Sequence, residues 1–113
     1  MQREVKKYLF DIQGCIENIE NFIGKPKMFA SFKQNMMMQQ AVERNLEIIG
    51  EAVNNLLKLH PEIKITDARR MVDTRDKIIH GYDEIQPVQI WNIIINHLPL
   101  LKQEVDSFLD NKY

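Results

Sequence analysis

Cysteine is almost missing from this chain. Cys15 is the only one in 113 residues, which excludes an intramolecular disulfide or a zinc-type cysteine cluster and fits a reducing compartment. Glycine and proline are scarce, four of each, beside 44% hydrophobic and 27% charged residues; this excludes the composition of a disordered chain. Strand-like alternation with hairpin turns is absent, and so are repeats and linkers, which leaves one domain over 1–113. No apolar run approaches the length needed to span a bilayer. The N-terminus, Met1 to Lys7, lacks the apolar stretch of a signal peptide, so a cytoplasmic protein with no membrane partner is expected. Neither sign of charge dominates: 15 Lys and Arg oppose 16 Asp and Glu, for a net charge of -1, which gives no support to non-specific nucleic-acid binding. The three histidines show no metal-ligand spacing such as i, i+4, and neither a metal nor a cofactor is expected.

What is present is helical periodicity. Val5, Leu9, Ile12, Ile16, Ile19 and Ile23 recur three or four residues apart and predict a first helix over 2–23, closed by Gly24 and Pro26. Met28, Phe29 and Phe32 form an apolar connection or short helix. A long helix is expected from about Asn35 to Leu59, burying Ala41, Leu46, Ile49, Val53 and Leu56 and stopped by Pro61. Gly50 inside it costs about 1 kcal/mol relative to Ala, and the reason expected is close approach of a neighbouring helix. Thr66 or Asp67 can cap a third helix through Ala68, Met71, Val72, Ile78 and Ile79, ending near Gly81. Pro87 suits the first turn of a last helix, from Trp91 to Phe108, which Pro99 should kink. The fold class is therefore all-α, an up-and-down bundle of about four main helices.

Chemistry concentrates between Arg75 and Tyr82. Asp76 and His80 lie one turn apart, so the carboxylate can orient the imidazole. Arg75 and His80 are about 140° apart around a helix and make a poor site in a single copy; a two-fold axis can bring the arginine of one chain beside the histidine of another. These residue types suit RNA cleavage without metal, with histidine moving the proton of the ribose 2′-OH or of the leaving 5′-oxygen and arginine holding the phosphate. By type and spacing alone the segment fits a capping histidine with a solvated charge cluster rather better. Between Lys58 and His80 the cations Lys58, Lys64, Arg69, Arg70, Arg75 and Lys77 exceed the acids by two. Arg44, Glu47 and Glu51 share one face of the long helix, either as a layer behind the site, with Glu51 bonding Arg75 or Arg44, or as a solvated salt-bridge stripe. His60 is expected at helix-end carbonyls, His97 in packing or at the surface, Met36-Met37-Met38 in the core and Cys15 as a buried, inert thiol.

The segment Arg75-x-x-x-x-His80-x-Tyr82, with Asp76 following the arginine, resembles the motif of the HEPN superfamily, in particular its HepT-type toxins. The stretch from Ala41 to Ala52 is similar to that family's long central helix, and Trp91 through Leu101 to its last helix, so the resemblance spans nearly the whole chain. Where the family often has a Pro-Trp pair ahead of the motif helix, this chain reads Ile65-Thr66-Asp67. The resemblance implies an all-helical homodimer whose motifs line a cleft at the dimer interface, with metal-independent ribonuclease activity toward RNA. It further implies a toxin–antitoxin pair of type VII, in which an MntA-type nucleotidyltransferase antitoxin transfers AMP from ATP to the motif tyrosine. Carried onto this sequence, Arg75 and His80 are the catalytic pair, Asp76 their polar support and Tyr82 the AMPylation acceptor, with Glu51 and Arg44 as supporting residues. The alternative is a non-catalytic HEPN partner that binds nucleotide and serves as scaffold or substrate of the nucleotidyltransferase.

Overall fold

In a computed structural model describing residues 2–81 and 85–110, six helices follow one another. They are α1 (Arg3–Ile23), α2 (Phe29–Gln34), α3 (Met36–Leu59), α4 (Ala68–His80), α5 (Pro87–Asn96) and α6 (Leu98–Asp110). The all-α class expected from the periodicity holds among the described residues, but about four helices become six. The connection after α1 is itself a helical turn, α2. The last expected helix is two, because the chain breaks at His97 between α5 and α6. Pro99 does not kink a continuous helix: it occupies the first turn of α6, where a missing N–H costs nothing.

Leu9, Ile12, Leu46, Ile49, Val53, Leu56, Met71, Ile90, Leu101 and Val105 are buried in one core. Packing arranges the helices in a row, α4 on α3, α3 on α1 and α1 on α6, with α5 on α6 and α2 bridging α3 and α5. The molecule is accordingly flat, 42 × 32 × 19 Å, its least dimension less than two helix diameters. Polar ties fix the register of the row. Buried Asn45 donates to the Ala41 carbonyl at 2.8 Å and accepts from Asn18 of α1 at 3.1 Å, so no buried amide is left without a partner there. Trp91 of α5 tilts against Phe29 and Phe32 of α2 at 5.8 and 5.4 Å between ring centres.

The expected core changes at its edges. Ala41, expected in the buried stripe of α3, is only half-buried while Val42 beside it is buried; Ile79 of α4 is 46% exposed, and Met36 and Met37 are 70% and 80% exposed, leaving only Met38 of the three packed on the core. Periodicity identifies a helix face, but the neighbour that covers it comes from elsewhere in the chain. Cys15 is buried as expected, and that burial pushes its thiol pKa up, which keeps it protonated and unreactive. No helix among the described residues is long and apolar enough to cross a membrane.

Candidate active site

Helix α4 stands at the end of the row and packs chiefly on α3, so much of its surface is open. Its entry is held from a distance. Thr66 donates from its backbone N–H at 3.1 Å and from its hydroxyl at 2.7 Å to Glu104 of α6. Asp67 sits at the N-cap position without capping; its carboxylate lies 3.0 Å from His97 Nδ1 at the α5–α6 break and 3.7 Å from Arg70 Nε. His97 is thus tied by its ring to Asp67 across the helix break, and is not a mere packing residue. His60, at the C-cap of α3, lies 3.8 Å from the Glu62 carboxylate.

The exit of α4 is Gly81, at φ 63° and ψ 11°, a left-handed conformation that glycine adopts without strain and that closes the helix with its N–H 3.1 Å from the Lys77 carbonyl. This makes His80 the last helical residue. Its Nδ1 is 2.8 Å from the backbone carbonyl of Asp76; a carbonyl accepts, so Nδ1 donates and carries a proton.

Arg75 is fixed by the opposite logic, through side chains. Its Nη2 lies 2.7 Å from Glu51 Oε2 on α3, and its Nη1 donates to Asp76 Oδ1 at 2.9 Å. The Asp76 hydrogen bond first, and the charge of Glu51 with it, push the guanidinium pKa further up and hold it charged. Gly50 makes this placement possible. A Cβ on Gly50 would collide with Arg75 Cβ and come within 2.6 Å of the Met71 carbonyl oxygen. The close helix approach expected at this glycine is therefore found, and the residue brought close is Arg75 itself. The same approach buries Arg75 Nε, which has no partner among the described residues.

Asp76 takes a role that spacing did not predict. Its carboxylate turns to Arg75, and its backbone carbonyl, not the carboxylate, receives the imidazole. One residue thus touches both members of the expected pair. Arg75, Glu51 and Arg44 line a groove of about 410 Å³ between α1, α3 and α4, together with Lys7, Asp11 and Glu47. Each cation in it is matched: Lys7 with Asp11 at 2.9 Å, Arg44 with Glu47 at 2.7 Å and Arg75 with Glu51. Glu51 bonds Arg75 as one reading of the α3 stripe held, whereas Arg44 and Glu47 pair with each other. Pairs this exposed are weak, and a phosphate can displace their carboxylates. Lys7, Tyr8 and Asp11 joined this groove unforeseen, since nothing local in α1 says which helix it packs beside. His80 is not among the lining residues; it is turned about 140° around α4 from Arg75. Tyr82 lies outside the described residues.

A family model described as HepT-like, Ribonuclease HepT-like, matches residues 12–108. The chain is 41% identical to the Probable ribonuclease HepT of Thermococcus cleftensis over 95% of this chain and 97% of that protein. It is 33% identical to the Putative RNase MJ0127 of Methanocaldococcus jannaschii over 96% of this chain and 89% of the relative. The Putative RNase TTE0752 of Caldanaerobacter subterraneus is also 33% identical, over 89% of each chain. No solved structure matches at a significant level.

Proposed function

The chain belongs to the HepT-like ribonuclease family, and from that premise we propose that it is a metal-independent endoribonuclease, the toxin of a type VII toxin–antitoxin pair. The observation that carries this reading is Asp76, which holds a charged arginine through its carboxylate and orients a histidine through its carbonyl. His80 Nε2 accepts the proton of a ribose 2′-OH; the 2′-oxygen attacks phosphorus and forms the cyclic phosphate as the bond to the 5′-oxygen breaks, and the 5′-oxygen takes its proton from water. Arg75, released from Glu51, holds the non-bridging phosphate oxygens as charge builds on them. RNA supplies its own nucleophile, so no step asks for a metal. Because Arg75 and His80 diverge around α4, the working site takes Arg75 from one copy and His80 from another in a homodimer.

Silencing follows from Tyr82, two residues beyond His80. An MntA-type nucleotidyltransferase antitoxin transfers AMP from ATP to the tyrosine hydroxyl with release of pyrophosphate. The added phosphate then brings bulk and negative charge to the place an RNA phosphate must occupy.

The test is induced expression of wild type and His80→Ala, with growth and total RNA followed in the same cells. Arrest with RNA fragmentation for wild type, and neither for a His80→Ala protein of unchanged helicity, is the expected result. Cleavage by the folded His80→Ala protein would remove His80 from the mechanism. Intact RNA with a folded, unmodified wild type would favour a non-catalytic, nucleotide-binding partner of the nucleotidyltransferase.

A further inference from the structure

A second groove among the described residues is larger than the one that holds Arg75. It runs between α4 and α5, encloses about 780 Å³, and is lined from α4 by Arg69, Arg70, Asp73 and Lys77 and from α5 by Gln89 and Asn92. Three cations therefore face one carboxylate among the described lining residues, in a protein whose net charge is -1. The cations are loosely held. Arg69 is 3.9 Å from Asp73 and Arg70 3.7 Å from Asp67, beyond hydrogen-bond distance, with side chains 74% and 49% exposed. The Arg75 groove differs, since each of its three cations has a carboxylate within 2.9 Å.

Helix geometry joins this groove to His80. Eleven residues separate Arg69 from His80, three turns plus about 20°, so both face the same side of α4 at a spacing of about 16 Å along its axis. Asp73 and His80, seven apart, coincide within about 20° as well. A strand whose scissile phosphate lies at His80 therefore passes Lys77 and reaches Arg70 and Arg69 without changing helix face. The opposite wall carries the amides of Gln89 and Asn92 and the apolar side chains of Val88 and Ile93, which suit ribose hydroxyls and base faces once the cations hold phosphates.

We infer that the α4–α5 groove is a docking track for the sugar–phosphate backbone of single-stranded RNA on one side of the cut. The inference rests on the ribonuclease reading and adds to it a substrate form: an unpaired strand extending several nucleotides from the scissile bond. Lys77 and Arg70 hold its central phosphates, Arg69 marks its far end, and Asp73 opposes it.

The track is tested with a labelled 2′-O-methyl RNA 12-mer, which lacks the 2′-OH needed for cleavage, by fluorescence anisotropy across a salt series. Arg69→Ala/Arg70→Ala is expected to weaken binding about tenfold for each arginine–phosphate hydrogen bond removed. The slope of log affinity against log salt becomes shallower by about 0.7 for each phosphate no longer neutralised. Asp73→Asn changes the groove charge in the opposite direction and tightens binding, a gain that damaged folding does not produce. With cleavable RNA, the ratio of kcat/KM for a 12-mer to that for a dinucleotide falls in the double variant. If wild type cleaves RNA but 12-mer affinity and salt slope are the same in all three proteins, the track is refuted while the ribonuclease reading stands, and an acidic protein partner becomes the better occupant. If wild type neither binds nor cleaves RNA, both fall together. Should the alanine variant fail to fold, Asp73→Asn decides alone: unchanged or weaker binding overturns the track.

Discussion

At the scale of single residues, Gly50 and Arg75 act as one unit. The glycine has a helical conformation that any residue adopts, so its value lies in the space it leaves for Arg75 Cβ and the Met71 carbonyl. Gly50→Ala gains about 1 kcal/mol of helix propensity but forces a packed backbone apart, which typically costs about 1–3 kcal/mol. Crowding wins because one of the atoms met is backbone and cannot rotate away. The expected outcome is a net loss of up to about 2 kcal/mol in urea denaturation, with weaker RNA cleavage because Arg75 leaves its place beside Glu51. A Gly50→Ala protein as stable as wild type would show that the helices separate freely. At this scale the motif was legible as residue types, and the reason for Gly50 was legible as a close approach. The hydrogen bonds were not: whether Asp76 turns its carboxylate toward His80 or Arg75 depends on where the guanidinium lies, and Glu51, 24 residues before Arg75 on another helix, helps to hold it.

Elements were the most legible level, because capping and periodicity are local. Asn35 illustrates this. It ends α2, and its side chain accepts from the Met38 N–H at 2.9 Å, satisfying one of the donors that the start of a helix leaves open. Gln39 reaches back to the Phe32 and Lys33 carbonyls at 2.9 Å, closing α2 from the first turn of α3. Asn35→Ala is therefore expected to lower stability by about 1 kcal/mol, read as a shift of the thermal midpoint. An unchanged midpoint would mean that solvent caps α3 equally well. Where the elements depart from local periodicity, the cause is distant. Pro99 signalled a disturbance correctly, but the break falls at His97, whose ring is held by Asp67 from the entry of α4. Ile79, Met36 and Met37 obey helical periodicity or lie beside it, yet no neighbouring helix covers them.

The whole molecule is where local signals end, for nothing in α1 or α4 announces a flat row with the motif helix at one end. That placement has a consequence for activity. Arg75 opens into the groove shared with α1 and α3, while His80 lies, by helix geometry, within about 20° of Arg69 and Asp73, which line the α4–α5 groove. Sites diverging by about 140° on one helix can meet across a two-fold axis, where each chain gives the residue the other lacks. A homodimer has a sedimentation mass near twice 13.4 kDa, and that is the mass expected. Mass alone does not locate the site, but mixing variants does. Arg75→Ala and His80→Ala chains are each inactive alone. Unfolded together and refolded, half of the dimers are mixed, and each mixed dimer regains one of its two sites if arginine and histidine come from different chains. Cleavage then returns to about a quarter of the wild-type rate. A site built within one chain gives no recovery, because neither variant holds both groups. Dimers of the expected mass with no recovered cleavage would place both groups in a single chain, and helix α4 would then have to unwind near Gly81 to bring them together.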